Sequence, residues 1–360
     1  MAAASRHKSG DSYNVTEKLG KGTYGKSFKG KNTRTDGPVA LKKVRLAPGQ
    51  GGIGPRQNEE IDKLKACQHQ NIVSFVGCKI QGAELWIITE FCDGGSVKEF
   101  SQQQLSLKEE QIAFICRETL QGLEYLHDRG KMHRNVKAAN IMLTGYGKVK
   151  LADFTLIMQL QAMEMRKAII NTHWMAPELM AADGHTGKCD VWSVGITALE
   201  LAEPKNDFFD IPPVKLLQMY VKNDGNPLQW QNRAKWSNHF RDFLSECLHR
   251  NPSLRPTAAV LLKHRLFQTL KASSVSQAVN TSNNSSRDRD REAAAEAAAA
   301  AQLGAEMGAE LLKLMLHSVQ EGAQQAAQRR EAQQKREALE TAVAMKMALN
   351  QLLKLDTDSD

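Results

Sequence analysis

The sequence predicts an α+β fold with two lobes, a small β-rich N-terminal lobe and a larger helical C-terminal lobe, followed by a C-terminal helical tail. Three observations predict it. Glycine-punctuated, strand-like segments occupy the chain to about residue 90, and helix-like patterns follow to about residue 271. A polar linker over 269–291 then separates this body from an alanine- and glutamate-rich tract over 292–355. Strands followed by helices are typical of an α+β architecture.

Composition and charge restrict the class of protein. The chain has 360 residues, which is enough for a large domain with a buried core. Its net charge of +8 is uneven, because residues 272–360 carry 10 Lys and Arg against 13 Asp and Glu, whereas residues 1–271 carry 38 against 27. No block of consecutive basic residues occurs, so the excess suits a polyphosphate, an acidic partner or only a solvated surface, and we predict no nucleic-acid partner.

The cysteines and the N-terminus indicate a reducing compartment. Six cysteines are scattered without a CxxC pair or a His/Cys cluster, which argues against a zinc site and against a disulfide framework. Residues 1–12, which we expect to be disordered, lack the apolar core of a signal peptide, and no apolar stretch is long enough for a membrane span. We therefore predict a cytoplasmic location, with the nucleus as the alternative.

A glycine-rich segment opens the strand-like region. LGKGTYGKSFKG places Gly20, Gly22 and Gly25 in the pattern GxGxxG. Only glycine lets the backbone approach a phosphate closely, so the pattern predicts phosphate binding. Three glycines also make an ordinary hairpin turn, and the pattern alone does not distinguish the two.

A candidate lysine follows on the next strand. PVALKKV alternates like a strand and carries Lys42 in the setting V-A-[IL]-K, although a single lysine on a strand is more often a surface residue. Glu60 lies on a helical segment and is spaced to reach back to Lys42. Such an ion pair would direct the lysine ammonium at nucleotide phosphates.

The helical region contains three well-marked segments. Helical spacing places four residues on one face of the segment that begins at Gln111: Ile112, Cys116, Leu120 and Leu123. The segment 190–202 is nearly all apolar and predicts a buried helix. Ser237 is the expected N-cap of a later helix.

Two segments supply the remaining candidate site residues. The polar loop at 131–144, KMHRNVKAANIMLT, contains His133, Arg134, Asn135, Lys137 and Asn140, and the segment KLADFT contains Asp153. Asn140 and Asp153 offer oxygen ligands, which a nucleotide-bound Mg²⁺ requires. Downstream, MAPE at 175–178, DVW at 190–192 and the isolated Arg255 follow in order. Each motif is weak alone, but their order and spacing together predict one fold.

Residues 13–268 resemble a protein kinase domain of the sterile-20-like (germinal-centre) serine/threonine group. Besides the motifs above, the resemblance rests on the stretches ELWIITEFCDGGSV, GLEYLHDRGKMHRNVKAAN and KWSNHFRDFLSECLHRNPSLRPTAAVLLKHRLF. It implies the bilobal protein-kinase fold, with an N-lobe over 13–89, a hinge over 90–94 and a C-lobe over 95–268. It also implies ATP and Mg²⁺ as ligands and signalling proteins as partners.

The resemblance implies a role for each motif residue. Asn135 occupies the position of the catalytic aspartate, and Lys137, two residues later, follows the serine/threonine pattern. Asn140 and Asp153 would bind the metal. The nucleotide-binding residues would be Gly20, Lys21, Gly22, Gly25, Ser27, Ala40, Lys42, Glu60, Thr89, Glu90, Cys92 and Met142.

The resemblance also implies structural roles outside the chemistry. Glu178 would pair with Arg255. Asp190 would brace from below the loop 131–144, which corresponds to the catalytic loop of the family. Thr89 would be the gatekeeper beside the adenine pocket. The hinge residues from Glu90 onward would follow it along the chain.

Three departures from the family pattern affect the site directly. Asn135 replaces the aspartate that would accept the substrate hydroxyl proton, and an amide cannot take up a proton at neutral pH. Thr155 replaces the glycine of the DFG motif, which removes backbone freedom at that hinge. Ser27 replaces the usual valine and makes the roof of the adenine pocket more polar.

The activation segment departs further. Residues 156–171 contain no Ser, Thr or Tyr before Thr172, so Arg134 has no phosphorylatable partner there. The group's GTPxW docking turn is reduced to NTHW. His173 in this turn could substitute for the missing base, although a lone histidine there is more often a surface residue.

The C-terminal tract is rich in strong helix formers. Leucine, methionine and valine recur at helical spacing in two stripes, around Leu303–Leu314 and Leu339–Leu353. They predict self-association or partner binding through a coiled coil or helical hairpin, and the alternative is a partly exposed single helix.

Three functions stay open at the level of the sequence. The first is a pseudokinase, an Mg·ATP-binding fold that acts as an allosteric or scaffolding partner. The second is a serine/threonine kinase that remains weakly or unconventionally active. The third is a duplicated domain without function, whose tail is its only working part. Since Lys42, Glu60, Asn140 and Asp153 are all present, we favour the pseudokinase.

Overall fold

The structure is a computed structural model that describes residues 12–22, 25–45, 61, 65–103, 107–153, 171–180, 186–221, 228, 230–268 and 270. Within these residues an antiparallel sheet is followed by helices, which confirms the predicted α+β bilobal fold. Several sequence predictions lie outside the described residues: the disordered N-terminus up to residue 11, Glu60, Thr155 with residues 156–170, the tail over 292–355, and the linker over 269–291 except for Leu270.

The N-lobe is a five-stranded antiparallel sheet in the order β1-β2-β3-β5-β4. Its strands are β1 (Tyr13–Gly22), β2 (Gly25–Asn32), β3 (Pro38–Arg45), β4 (Phe75–Gln81) and β5 (Glu84–Glu90). Alternate residues turn apolar side chains to one face, as strand geometry requires. The buried cluster on that face consists of Tyr13, Val39, Leu41, Trp86 and Ile88.

The described part of the C-lobe is mainly helical. Its helices are α1 (Val97–Gln103), α2 (Glu109–His127), α3 (Pro177–Met180), α4 (Lys188–Ala202), α5 (Pro213–Val221), α6 (Asn238–Cys247) and α7 (Ala258–Leu261). Single 3₁₀ turns cover Ala138–Asn140, Thr172–Trp174, Asp207–Asp210 and Arg233–Lys235, and a short hairpin joins β6 (Ile141–Leu143) to β7 (Val149–Leu151). No helix in the described ranges is long and apolar enough to cross a membrane.

Helices α2 and α4 form the centre of the C-lobe. The α2 face predicted from the sequence is buried, from Ile112 to Leu123, and the prediction is confirmed. Helix α4 is buried on nearly all sides, also as predicted, and Trp192 is 1% exposed. Gly195 of α4 has no room for a Cβ, because one would lie 2.7 Å from the Cβ of Cys247 in α6. The missing side chain therefore sets how closely these two helices approach.

Helix α6 begins as the sequence predicts. The Ser237 hydroxyl accepts a hydrogen bond from the Phe240 backbone N–H at 3.1 Å, which satisfies one of the free N–H groups of the first turn. The predicted N-cap is confirmed. Phe240 and Phe243 then point into the core and are fully buried.

The two lobes are joined by backbone hydrogen bonds behind the cleft. The Val73 N–H donates to the Leu151 carbonyl at 2.8 Å, and the Leu151 N–H donates to the Asn71 carbonyl at 2.8 Å. A segment that precedes β4 thus adds to the C-lobe strand β7. Strand β7 ends two residues before Asp153. The hydrogen bonds of Leu151 therefore help to position the Asp153 carboxylate relative to the N-lobe.

A buried ion pair fastens the lower C-lobe. The Arg255 guanidinium donates to the Glu178 carboxylate at 2.6 and 3.1 Å, and both side chains are buried. Arg255 also donates to the Lys188 carbonyl at 2.8 Å. The pairing expected from the family resemblance is confirmed, and it ties α3 to the segment before α7.

Glu178→Ala should destabilise the fold by about 3–5 kcal/mol, because it leaves a fully buried guanidinium without its counter-charge. Lys31→Ala, which breaks the exposed Lys31–Asp36 pair, should cost less than about 1 kcal/mol. Urea unfolding followed by tryptophan fluorescence measures both. Equal effects of the two variants would contradict the stabilising role of the buried Glu178–Arg255 pair.

Candidate functional site

A cavity of about 530 Å³ opens between the sheet and the helical lobe. Most of the residues that the sequence proposes for the site line it: Gly20, Ser27, Ala40, Lys42, Thr89, Glu90, Cys92, Asn135, Lys137, Asn140, Met142 and Asp153. The sheet contributes Gly20, Ser27, Ala40 and Lys42 to the lining, and the C-lobe contributes the amides Asn135 and Asn140, the carboxylate of Asp153 and Met142 of β6. The lining therefore combines apolar, amide and charged side chains.

The register of the strands determines which residues of the sheet line the cavity. Ser27 pairs with Lys42 across β2 and β3, and Lys42 pairs with Ile87 across β3 and β5. Ala40 lies two residues away on the same face as Lys42 and pairs with Thr89. Residues distant in sequence thus share one face of the sheet, as the alternation in PVALKKV predicts.

The glycine-rich segment forms the paired ends of the antiparallel strands β1 and β2. A Cβ on Gly25 would lie 2.1 Å from the Lys43 carbonyl oxygen, so only glycine lets β2 approach β3 there. Lys21 and Gly22 belong to β1, and their side-chain environment lies outside the description, whereas Gly20 lines the cavity. The part that Gly25 plays in the described structure is close strand packing.

Lys42 contacts Asp153 across the cleft. The ammonium donates a hydrogen bond to Oδ2 of the carboxylate, with the lysine side chain 12% and the aspartate side chain 31% exposed. Asp153 has a φ of 63°, a left-handed conformation that is costly for a side-chain residue. Glu60, the partner that the sequence proposes for Lys42, lies outside the described residues.

Asp190 organises the catalytic loop from below, as the resemblance predicts. Its carboxylate accepts hydrogen bonds from the backbone N–H of His133 at 2.8 Å and of Arg134 at 2.6 Å. It also lies 2.9 Å from Nε2 of His127. Burial alone would raise the pKa of Asp190, but the hydrogen bonds and the histidine neighbours lower it overall, so the carboxylate is ionised.

The amide at position 135 is held within this loop. Its backbone N–H donates to Nδ1 of His133 at 3.2 Å, and its carbonyl accepts from Nδ2 of Asn140 at 2.8 Å. Asn135 is 6% exposed, and its side-chain oxygen has no hydrogen-bond partner in the described part of the chain. Asn135 lines the cavity, and its side-chain oxygen is a buried acceptor whose hydrogen-bonding capacity is unused by the described residues.

Two ionisable side chains connect the loop to the NTHW turn. Lys137 donates to Oδ1 of Asn171 at 2.9 Å, and burial lowers the pKa of Lys137. Oε2 of Glu200 accepts from the Ala138 N–H at 3.2 Å and from Nε1 of Trp174 at 3.0 Å, and burial raises the pKa of Glu200. The sequence did not identify Glu200, because it lies in an apolar helix pattern far along the chain.

The hinge side of the cavity is already hydrogen bonded. The Glu90 carboxylate accepts from the Ser74 N–H at 2.6 Å and from the Lys150 ammonium at 2.7 Å, so its side chain is engaged away from a ligand. Burial raises the pKa of the Cys92 thiol to about 12, which keeps it protonated and unreactive. These residues shape the pocket wall rather than supply charge.

Several lining residues were missed by the sequence reasoning: Leu19, Val73, Phe75, Phe91, Ser96, Lys98 and Ala152. Strand alternation could have found Leu19 and Phe75, since both lie on strands beside predicted site residues. Lys98 carries no such signal, because its position in the cleft depends on how α1 packs against the 3₁₀ turn Ala138–Asn140.

His173 differs from both sequence interpretations. It is buried rather than a surface residue, and its Nε2 lies 3.0 Å from the Ile211 carbonyl, to which it donates a hydrogen bond. Its ring packs edge-on against Phe208, with centroids 5.4 Å apart. Burial lowers the pKa of His173, so it is a neutral packing residue, and no contact in the described part of the chain directs it to Asn135.

A second polar cluster lies on the C-lobe surface. Asp242, Glu246 and His264 bring ligand atoms within 4.8 Å of one another. Nδ1 of His264 accepts a hydrogen bond from the Leu266 N–H at 3.1 Å, so Nε2 must carry the ring hydrogen. That nitrogen faces Oδ2 of Asp242 at 3.4 Å. A protonated Nε2 cannot ligate a metal, and the arrangement favours a polar contact between helices.

The comparisons with known proteins agree with this geometry. The family model described as protein kinase domain matches residues 13–267. Mitogen-activated protein kinase kinase kinase kinase 3 of Homo sapiens is 43% identical over 265 residues, which is 72% of this chain and 29% of that protein. Serine/threonine-protein kinase 1 of Arabidopsis thaliana is 41% identical over 276 residues, which is 75% of this chain and 32% of that protein.

A third relative is similar over the same extent. Serine/threonine-protein kinase dst1 of Dictyostelium discoideum is 39% identical over 265 residues, which is 73% of this chain and 35% of that protein. The chain therefore spans about a third of the length of the curated relatives it matches. The similarity covers the region that contains the cavity.

The stability of the fold should fall as the pH falls from 7.5 to 5.5. His173 binds a proton less readily when folded, so below its unfolded pKa of about 6.5 the unfolded chain takes up a proton that the folded chain does not. His173→Phe removes this contribution, at most ~1.4 kcal/mol per pH unit. Urea unfolding at several pH values should show a shallower pH dependence for the variant, and exposed His249→Gln serves as the control. Identical slopes for His173→Phe and the native chain would contradict the assignment.

Proposed function

This chain belongs to the protein kinase family, in its sterile-20-like serine/threonine group, and from that premise we propose that it is a pseudokinase. It binds Mg·ATP in the cleft between the lobes and acts as an allosteric or scaffolding partner in signalling. One combination carries this proposal. The cavity holds the oxygen ligands Asn140 and Asp153 and the cation Lys42, but an amide, Asn135, stands at the position of the general base.

The residues present fit a nucleotide and a divalent cation. Asn140 donates its amide N–H to the Asn135 carbonyl, which orients its amide oxygen away from that bond and leaves it as a ligand in the cavity. Asp153 supplies a carboxylate oxygen beside it. Hard oxygen ligands of this kind suit Mg²⁺, which would neutralise phosphate charge when bound. The apolar lining residues, Ala40 from the sheet and Met142 from the C-lobe among them, suit an aromatic base.

The Lys42–Asp153 contact couples the two ligands. A phosphate that attracts Lys42 removes the counter-charge of Asp153, and a metal that binds Asp153 removes the counter-charge of Lys42. Either ligand alone leaves one charge of the pair uncompensated in a partly buried site. Together they replace both charges, so the cleft favours Mg·ATP over either component.

Asn135 limits what the bound nucleotide can do. General-base assistance is typically worth ~10²–10⁴-fold in rate, and an amide has no proton affinity at neutral pH to provide it. His173 is buried and hydrogen bonded to the Ile211 carbonyl, so it offers no replacement. The proposed activity is therefore binding, with the C-terminal tract supplying contacts to signalling proteins or to a second copy.

A second function is favoured by one observation. Asn135 lines the cavity, and its buried side-chain oxygen accepts no hydrogen bond in the described ranges. It can therefore orient a serine or threonine hydroxyl even though it cannot take its proton. Phosphoryl transfer depends mostly on positioning and charge stabilisation. This supports a weakly active serine/threonine kinase as the alternative.

Mg·ATP should raise the thermal unfolding temperature of the full chain by several degrees, since a ligand at about 100 times its Kd stabilises by about 2.7 kcal/mol. Asp153→Asn should lose most of the Mg²⁺-dependent part of the shift, and Lys42→Ala most of the shift from ATP. The exposed Lys148→Ala is the matched control and should behave like the native chain. A native chain that is not stabilised by Mg·ATP would contradict nucleotide binding.

Phosphate transfer from radiolabelled ATP separates the two functions. The native chain, Asn135→Asp and Lys42→Ala are compared for labelling of themselves and of a generic basic protein. A pseudokinase predicts that the native chain equals the Lys42→Ala background and that Asn135→Asp rises above it by ~10²–10⁴-fold. Transfer by the native chain above that background would instead establish the alternative.

A further inference from the structure

The part of the cleft next to Asn135 has its own charge pattern. Helix α1 packs against the 3₁₀ turn Ala138–Asn140 and brings Lys98 into the lining of the cavity. Lys98 and Lys137 both line the cavity, and burial raises the pKa of Glu200 while these two cations oppose that shift. Two ammonium groups therefore border this end of the cleft.

The four carboxylates that line the cavity all accept hydrogen bonds within the described part of the chain, but only two of them are paired with a cation. Glu99 accepts hydrogen bonds from the backbone and hydroxyl of Ser96, and as the next residue on the helix it does not face the same way as Lys98. Asp93 accepts from the Gly145 N–H at the hinge end. Glu90 is paired with Lys150, and Asp153 with Lys42.

Lys98 is different from the other two lysines of the cavity. Lys42 contacts Asp153, and Lys137 donates to Asn171. The half-buried Lys98 ammonium makes no hydrogen bond or ion pair with any residue that the structure describes. A partly desolvated cation of this kind gains most from an acidic ligand.

The buried carboxylate of Glu200 is already hydrogen bonded and does not compete with an acidic ligand for Lys98. Both hydrogen bonds that Oε2 of Glu200 accepts come from the protein itself, from Ala138 and Trp174. Burial raises the pKa of Glu200. A basic side chain at this end of the cleft would therefore meet a buried carboxylate that already accepts two hydrogen bonds from the protein.

We propose that the cleft beside the nucleotide binds an acidic segment of a partner protein, with a carboxylate paired to Lys98 and a serine or threonine hydroxyl donating to Oδ1 of Asn135. The inference rests on the proposed function, because the nucleotide occupies Lys42 and Asp153 and leaves Lys98 for the partner. The proposed partner segment is acidic whether it is only bound or is also phosphorylated.

The test measures fluorescence anisotropy of three labelled peptides with the full chain, Mg²⁺ and an ATP analogue whose γ-phosphate cannot be transferred. Each peptide has a central serine, flanked by aspartates, by glutamines or by lysines. The aspartate peptide should bind tightest to the native chain. Lys98→Gln should weaken it about 5–20-fold, and Lys98→Glu should reverse the order in favour of the lysine peptide. Lys263→Gln removes an exposed C-lobe lysine and should change nothing.

Nucleotide binding is followed separately by thermal shift in the same variants. If Mg·ATP stabilises the chain but the three peptides bind alike, or Lys98→Gln leaves the aspartate peptide unaffected, the inference is overturned and the proposed function stands. If Lys98→Gln weakens the nucleotide as much as the peptide, Lys98 belongs to the nucleotide site and the inference is overturned. If Mg·ATP does not stabilise the chain but the Lys98-dependent preference persists, the acidic site stands and the proposed nucleotide function falls.

Discussion

The carboxylate of Asp190 is the anchor on which the site depends. It is fully buried at the start of α4, and it accepts two backbone N–H groups from the catalytic loop and a contact from His127. These bonds hold Arg134 in a left-handed conformation, with φ at 61°, which an arginine would not otherwise favour. Because the loop is fixed at its base, Asn135, Lys137 and Asn140 keep defined positions in the cleft.

The upper half of the site depends on a different interaction. Lys42 belongs to the sheet and Asp153 to the C-lobe, so their contact is made across the cleft. Backbone hydrogen bonds of Leu151 with Val73 and Asn71 limit how far the lobes can separate near this point. The pair is therefore a link between the lobes.

Loss of a single carboxylate at position 135 leaves this architecture unchanged. The backbone of Asn135 makes the hydrogen bonds that shape the loop, and its side chain adds only an acceptor to the cleft. Binding residues and the base are thus physically separable, which is why the family fold can persist with altered chemistry. The charge beside it, from Lys98 and Lys137, then becomes a means of selecting a partner segment.

The sequence by itself determined the order of elements, the buried faces of α2 and α4, the cap at Ser237 and twelve of the residues that line the cavity. Periodicity, capping and motif spacing are local properties, and they can be read from neighbouring residues. Only the tertiary structure decided that Lys42 meets Asp153, that Glu90 is engaged by Lys150, that His173 is buried and that Lys98 enters the cleft. Each of these depends on which distant element covers a side chain, and the partner, burial and charge state of that side chain follow from packing rather than from local pattern.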